Sequence, residues 1–134
     1  MHSTNYSDTF ISVADDCPAA AGTVPPERAE PTVARSQYEM IAANPYRYTS
    51  DEILFAVHAL RNRIGQAELE ARRSDYFSRG QACLRSSPRA KRYGWGIHHD
   101  EQARVALIPR ESEEYLRLSR DAALKQVKAM KSAR

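Results

Sequence analysis

The chain lacks most of what makes a protein easy to classify. Its apolar runs are only a few residues long in a sequence of 134, whereas a spanning helix needs roughly 20, so no membrane span is expected. There are two cysteines, Cys17 and Cys83. The opening Met1-His2-Ser3-Thr4-Asn5-Tyr6 has no basic stretch followed by an apolar one, so no secretory leader is expected. The default is therefore a cytoplasmic protein with two reduced thiols. There is no Gly-rich phosphate loop, no recognisable pair of catalytic carboxylates, no Ser-His-Asp signature and no zinc-ligand spacing. No cofactor is predicted. Enzyme status stays open, because many active sites carry no local motif.

What is present is a globular composition. With 42% hydrophobic and 28% charged residues, the chain is neither disordered nor membrane-bound. At this length it forms one domain, 1–134, and buries roughly two-thirds of its unfolded surface. The net charge of +3 is unevenly spread. Residues 1–67 carry five Arg against eight Asp/Glu, a net −3, and residues 68–134 carry fifteen Lys/Arg against nine Asp/Glu, a net +6. Such asymmetry can mark an anionic partner; the plainer reading is that the cations solvate helical faces.

Thr9-Phe10-Ile11-Ser12-Val13-Ala14 reads as a strand, with Ile11 and Val13 on one face and Phe10 on the other, covered on both sides. Residues 19–31, with Gly22, Pro25, Pro26 and Pro31, read as a Pro-rich surface loop. Thr32 caps a helix to Ala43 with Val33, Gln37, Met40 and Ile41 on one side, and Asn44-Pro45 stops it. Thr49-Ser50-Asp51-Glu52 fits a capping box. It opens a helix with Ile53, Val57, Leu60 and Ile64 at helical spacing, ended by Gly65. A further helix carries Leu69, Tyr76 and Phe77, with Gly80 placed as its C′ residue.

Ala82-Cys83-Leu84 reads as a short strand broken by Ser86-Ser87-Pro88. Tyr93 to His99 alternates with period two: Tyr93, Trp95, Ile97 and His99 share one face, and Gly94, Gly96 and His98 the other. Asp100-Glu101-Gln102 turns the chain, and Arg104 to Ile108 returns as the second strand of a hairpin. Ser112 caps a helix with Glu113 and Glu114 in its first turn. Leu116, Ala123, Val127 and Met130 extend it, or a second helix after Asp121, towards the C-terminus, with Lys125, Lys128, Lys131 and Arg134 in the last turns. The order gives an α+β fold: a small antiparallel sheet with flanking helices.

His2-Ser3-Thr4-Asn5-Tyr6, Thr9-Phe10-Ile11 and Asp16-Cys17-Pro18 carry a family resemblance. So do Asn44-Pro45-Tyr46, Tyr48-Thr49-Ser50-Asp51, Ser86 and Pro88 with Lys91-Arg92-Tyr93-Gly94-Trp95-Gly96-Ile97-His98, and Val127-Lys128-Ala129-Met130. In this order they resemble a bacterial domain-of-unknown-function family, number 6157 of its series, along the whole chain. The resemblance implies a stand-alone cytoplasmic protein of this length and no assigned activity or catalytic residue.

Three constellations carry chemistry. Arg85, Arg89, Lys91 and Arg92 precede Tyr93 and Trp95. Cations hold phosphates and rings stack bases, so this basic-aromatic segment is a candidate surface for an anionic ligand or nucleic acid. Gly94 and Gly96 leave room there for a ligand or a packed helix. The plainer reading puts Tyr93, Trp95 and Ile97 in the core. Second, His98 and Asp100 point to one face and could share a metal ion with His2, His58 or Cys83 as a further ligand; a solvated histidine at a turn is the plainer reading. Third, Cys83 with a histidine would be a nucleophile pair, against which Ala82-Cys83-Leu84 reads as buried and inert. The leading expectation is a small binding or interaction module for an anionic partner. The alternatives are an enzyme or metal-dependent protein at His98 and Asp100, and a structural homodimer subunit joined through the second strand or final helix.

Overall fold

The computed structural model describes residues 2–81, 83–84 and 92–131. Its elements run β1 (Thr9–Ser12), α1 (Val33–Ala43), α2 (Ser50–Arg61), α3 (Leu69–Tyr76), β2 (Trp95–His99), β3 (Val105–Pro109), α4 (Glu113–Ser119) and β4 (Lys125–Lys128). The four strands form one sheet in the order β3-β2-β1-β4. Strand alternation divides its two faces. Ile11, Ile97 and Val105 pack with Ile41 and Ile53 on the side of α1 and α2. Phe10, Ala106 and Ile108 pack with Leu118 of α4 on the other. Phe10 and Ile11 are both fully buried, as the double-sided reading of β1 requires.

Local signals set the helix starts. The Thr32 side chain accepts from the Arg35 amide at α1, and the Ser112 side chain from the Tyr115 amide at α4. The capping box forms at α2. The Thr49 hydroxyl accepts from the Glu52 amide at 3.2 Å, and the Glu52 carboxylate accepts from the Thr49 amide at 3.1 Å. The loop over 19–31 holds no helix or strand.

Several finer expectations are corrected. α1 buries Ala34, Gln37 and Ile41, and Val33 is 40% exposed. α2 buries Ile53, Phe55 and Val57, leaving Leu60 72% exposed. α2 ends at Arg61, and the left-handed residue after it is Arg63, not Gly65. α3 ends at Tyr76, and Gly80 does not take a positive φ. Cys83 and Leu84 are not in a strand; Ala82 lies outside the described residues.

The largest correction concerns the C-terminal segment. α4 stops at Ser119, and Lys125–Lys128 is a strand instead of a helix. β4 pairs parallel to β1, from Thr9↔Lys125 to Ser12↔Lys128, so the sheet is mixed and not wholly antiparallel. The cause is non-local. β1 pairs with β2 along one edge only, and a buried strand cannot leave its other row of amides and carbonyls unpaired. Asp8 O accepts from the Lys125 amide at 2.8 Å, and Ser12 O from the Ala129 amide at 2.9 Å. Val127 turns its side chain to the core, while the lysines suit a sheet edge. β3 is antiparallel to β2 and β2 to β1, so β3, β1 and β4 all point the same way. α4 is the crossover between β3 and β4.

The N-terminal residues close over the start of α2. The Asp51 carboxylate accepts from the Thr4 amide at 2.7 Å, the Thr4 hydroxyl at 2.7 Å and the Ser3 hydroxyl at 2.8 Å. The Asn5 side chain accepts from the Asp51 amide at 2.9 Å.

Candidate functional site

Because β3, β1 and β4 are mutually parallel, their carboxyl ends share one edge of the sheet. β2 runs the other way and enters the sheet at that same edge, with Trp95 opposite Pro109. The topology therefore gathers the residues after β1, the first residue after β3, the end of β4 and the approach to β2. A cleft of about 570 Å³ opens there. Ser12 to Asp15, Arg110, Tyr115, Gln126 and Lys128 line it.

Arg110 donates through one guanidinium nitrogen to the Ala19 carbonyl at 2.9 Å, and its backbone amide donates to Gly94 O at 2.9 Å. It makes no ion pair among the described residues. Lys128 reaches across to the Asp15 carboxylate, and that ammonium holds the carboxyl below its usual range. The Tyr115 hydroxyl accepts from the Val13 amide at 3.0 Å, which leaves its own proton for another acceptor. The cleft thus offers a fixed guanidinium, a partnered ammonium and a phenol.

Of the basic-aromatic segment, Arg85, Arg89 and Lys91 lie outside the described residues. Arg92 is exposed and Tyr93 half-buried. The stretch 19–23 runs against the start of β2: Tyr93 O accepts from the Thr23 amide at 2.7 Å. Trp95 is half-buried; its indole N–H donates to Thr23 O at 2.8 Å, and its ring tilts over Tyr38 at 5.6 Å between centroids. Gly94 has φ +76°, and a Cβ there would sit 2.4 Å from Ala21 O, so close backbone approach explains this glycine. Gly96 meets different neighbours. A Cβ on it would lie 2.6 Å from the Phe10 ring and 2.8 Å from that of Tyr115. The space is filled by the Phe10 ring of β1 and by Tyr115 of α4, not left as a groove.

His98 and Asp100 are occupied separately. The Tyr46 hydroxyl lies 2.8 Å from His98 Nδ1. Burial lowers the imidazole pKa and raises that of the phenol, so both are neutral at pH 7 and share one hydrogen bond. Asp100 Oδ1 accepts from the Gln102 and Arg104 amides, each at 2.9 Å, holding the hairpin turn. Among the described residues no three His, Cys, Asp or Glu side chains converge as a metal would require. The His58 ring lies tilted against Tyr76 with 4.5 Å between centroids, and the exposed His2 donates its amide to Phe77 O. Cys83 is half-buried with Tyr6 Oη at 3.4 Å, and both cysteines are free thiols.

Sequence reasoning missed Arg110, Asp15 and Tyr115, and placed Lys128 on a helix. The one available signal was a cation immediately after a strand-ending proline. Among the described residues no helix is long and apolar enough to cross a membrane.

Compared with known proteins, the chain matches over residues 1–134 the model of a family of unknown function (DUF6157). No curated protein and no solved structure matches it.

Proposed function

The chain belongs to this family of unknown function along its whole length, and from its own geometry we propose that it is a small cytoplasmic binding module for an anionic ligand. The observation that supports this is the gathering of Arg110, Lys128 and the Tyr115 hydroxyl around one cleft at the carboxyl ends of three parallel strands. Ligands of open α/β sheets settle at that end of the strands, beside a crossover. An anion in the cleft takes a charge-assisted hydrogen bond from Arg110 and competes with Asp15 for Lys128. Arg92, at the approach to β2, adds to the same field.

A small anion fits better than a nucleic-acid strand. Stacking needs free ring faces and edges, and the Trp95 edge and ring are engaged by Thr23 and Tyr38.

The test uses the single tryptophan as reporter. Trp95 fluorescence is followed during titration with inorganic pyrophosphate at low salt, in the native protein and in Arg110→Gln, Lys128→Gln and Arg92→Ala. Saturable binding is expected. It should weaken about tenfold when Arg110 or Lys128 loses its charge, the size of one charge-assisted bond. No binding at low salt, or binding indifferent to all three substitutions, refutes the reading. Tighter binding of a labelled oligonucleotide, with steep salt dependence, would move it to nucleic acid.

A further inference from the structure

We propose a second site: the groove between α2 and α3 binds a small amphipathic carboxylate, its apolar body on the groove floor and its carboxylate between Arg63 and Arg73. The groove has a volume of about 630 Å³, inside the roughly 300–1,000 Å³ range of small-molecule sites. Met40, Phe55 and Leu60 supply apolar surface, and the charged groups lining it are Glu52, Arg63 and Arg73.

The charge balance calls for an anion. Glu52 is committed to the capping box at the start of α2. Neither arginine has a carboxylate partner among the described residues. The Arg73 guanidinium lies 5.0 Å from the centre of the Phe77 ring, and Leu60 is 72% exposed beside them. Exposed apolar surface next to two unpaired guanidinium groups matches a ligand with an apolar tail and an anionic head.

The backbone supplies independent support. α2 ends in a Schellman turn: the Ile64 amide donates to Ala59 O at 3.0 Å, and the Arg63 amide to Leu60 O at 3.3 Å. Its left-handed residue is Arg63, with φ +50°. Glycine takes this position without steric cost, and a side chain here is strained. Gly65 stands two residues further on, in an extended conformation with φ −73°. A strained residue held at the edge of a groove points to function: arginine here lines the groove with a cation, which glycine would remove.

The test is titration of the isotope-labelled full-length protein with decanoate and with decyltrimethylammonium, followed by amide NMR shifts and calorimetry. The native protein, Arg63→Gly and Arg73→Gln are compared, each with a thermal melt. Decanoate should bind saturably, shifting amides of α2 and α3, and decyltrimethylammonium at least tenfold more weakly. Each substitution should weaken decanoate about tenfold. Arg63→Gly should melt roughly 2–5 °C higher, because strain is relieved. Pyrophosphate binding at the sheet-end cleft should be unchanged in both variants, which separates the two sites. The proposal is overturned if decanoate leaves the groove amides unmoved or both head groups bind equally. It is also overturned if Arg63→Gly melts lower while binding decanoate like the native protein.

Discussion

The ring of Tyr6 meets the imidazole of His99 edge-on, with 5.4 Å between centroids and 83° between planes. His99 has no solvent exposure, and neither ring nitrogen has a hydrogen-bond partner among the described residues. Loss of water disfavours the imidazolium and pushes the pKa from 6.5 down to about 4. Between those values the unfolded chain binds a proton that the folded chain does not. Stability is therefore full above pH 6.5 and declines as the pH falls towards 4. The decline attributable to this residue is about 3 kcal/mol. His99→Leu should remove that part of the pH dependence. Urea unfolding of both proteins near neutral pH and near the lower pKa measures it, and a native-to-variant difference that stays constant across the window would refute the assignment.

Gly94 and Gly96 should respond differently to alanine. At Gly96 the added methyl meets two side-chain rings, which can shift, so the cost is about 1–3 kcal/mol. At Gly94 it meets the Ala21 carbonyl, and the positive φ adds strain. Gly94→Ala should therefore be the more damaging and should also detach the stretch 19–23, exposing Trp95. Denaturation midpoints and the Trp95 emission wavelength check both effects.

Asp51 holds the N-terminal residues through three accepted hydrogen bonds and is only 3% exposed. Asp51→Ala strands the Thr4 amide in the interior, leaves the Thr4 hydroxyl only its bond with Ser50, and should cost about 3 kcal/mol. Amide exchange in residues 2–6 should accelerate well beyond the global change. Equal acceleration everywhere would mean that Asp51 does not act as a local clamp.

Asp15 competes with any anion for Lys128. Asp15→Asn should tighten pyrophosphate binding several-fold and flatten its dependence on pH around the carboxyl titration. An unchanged affinity would remove Lys128 from the site and leave Arg110 alone.

The capping box at Thr49 and Glu52, the caps at Thr32 and Ser112, and the hairpin around Asp100 were all legible, because each is decided within a few residues. So were the two covered faces of β1. β4 was not. Ala123, Val127 and Met130 are spaced as on a helix, and only the unpaired edge of β1 makes Lys125–Lys128 a strand. Arg63 was missed for a related reason: a glycine nearby was the cheaper left-handed residue by local energy, and the chain did not use it.

The sequence by itself determined the α+β class, most element positions and the charge asymmetry, since capping, turn chemistry and hydrophobic periodicity act over short separations. Only the tertiary structure decided that β3, β1 and β4 run parallel. That pairing brings Arg110, Asp15 and Lys128 to one cleft from separate parts of the chain. Strand order is fixed by satisfying backbone groups of a buried strand across long separations, and no local pattern encodes which distant segment will do so.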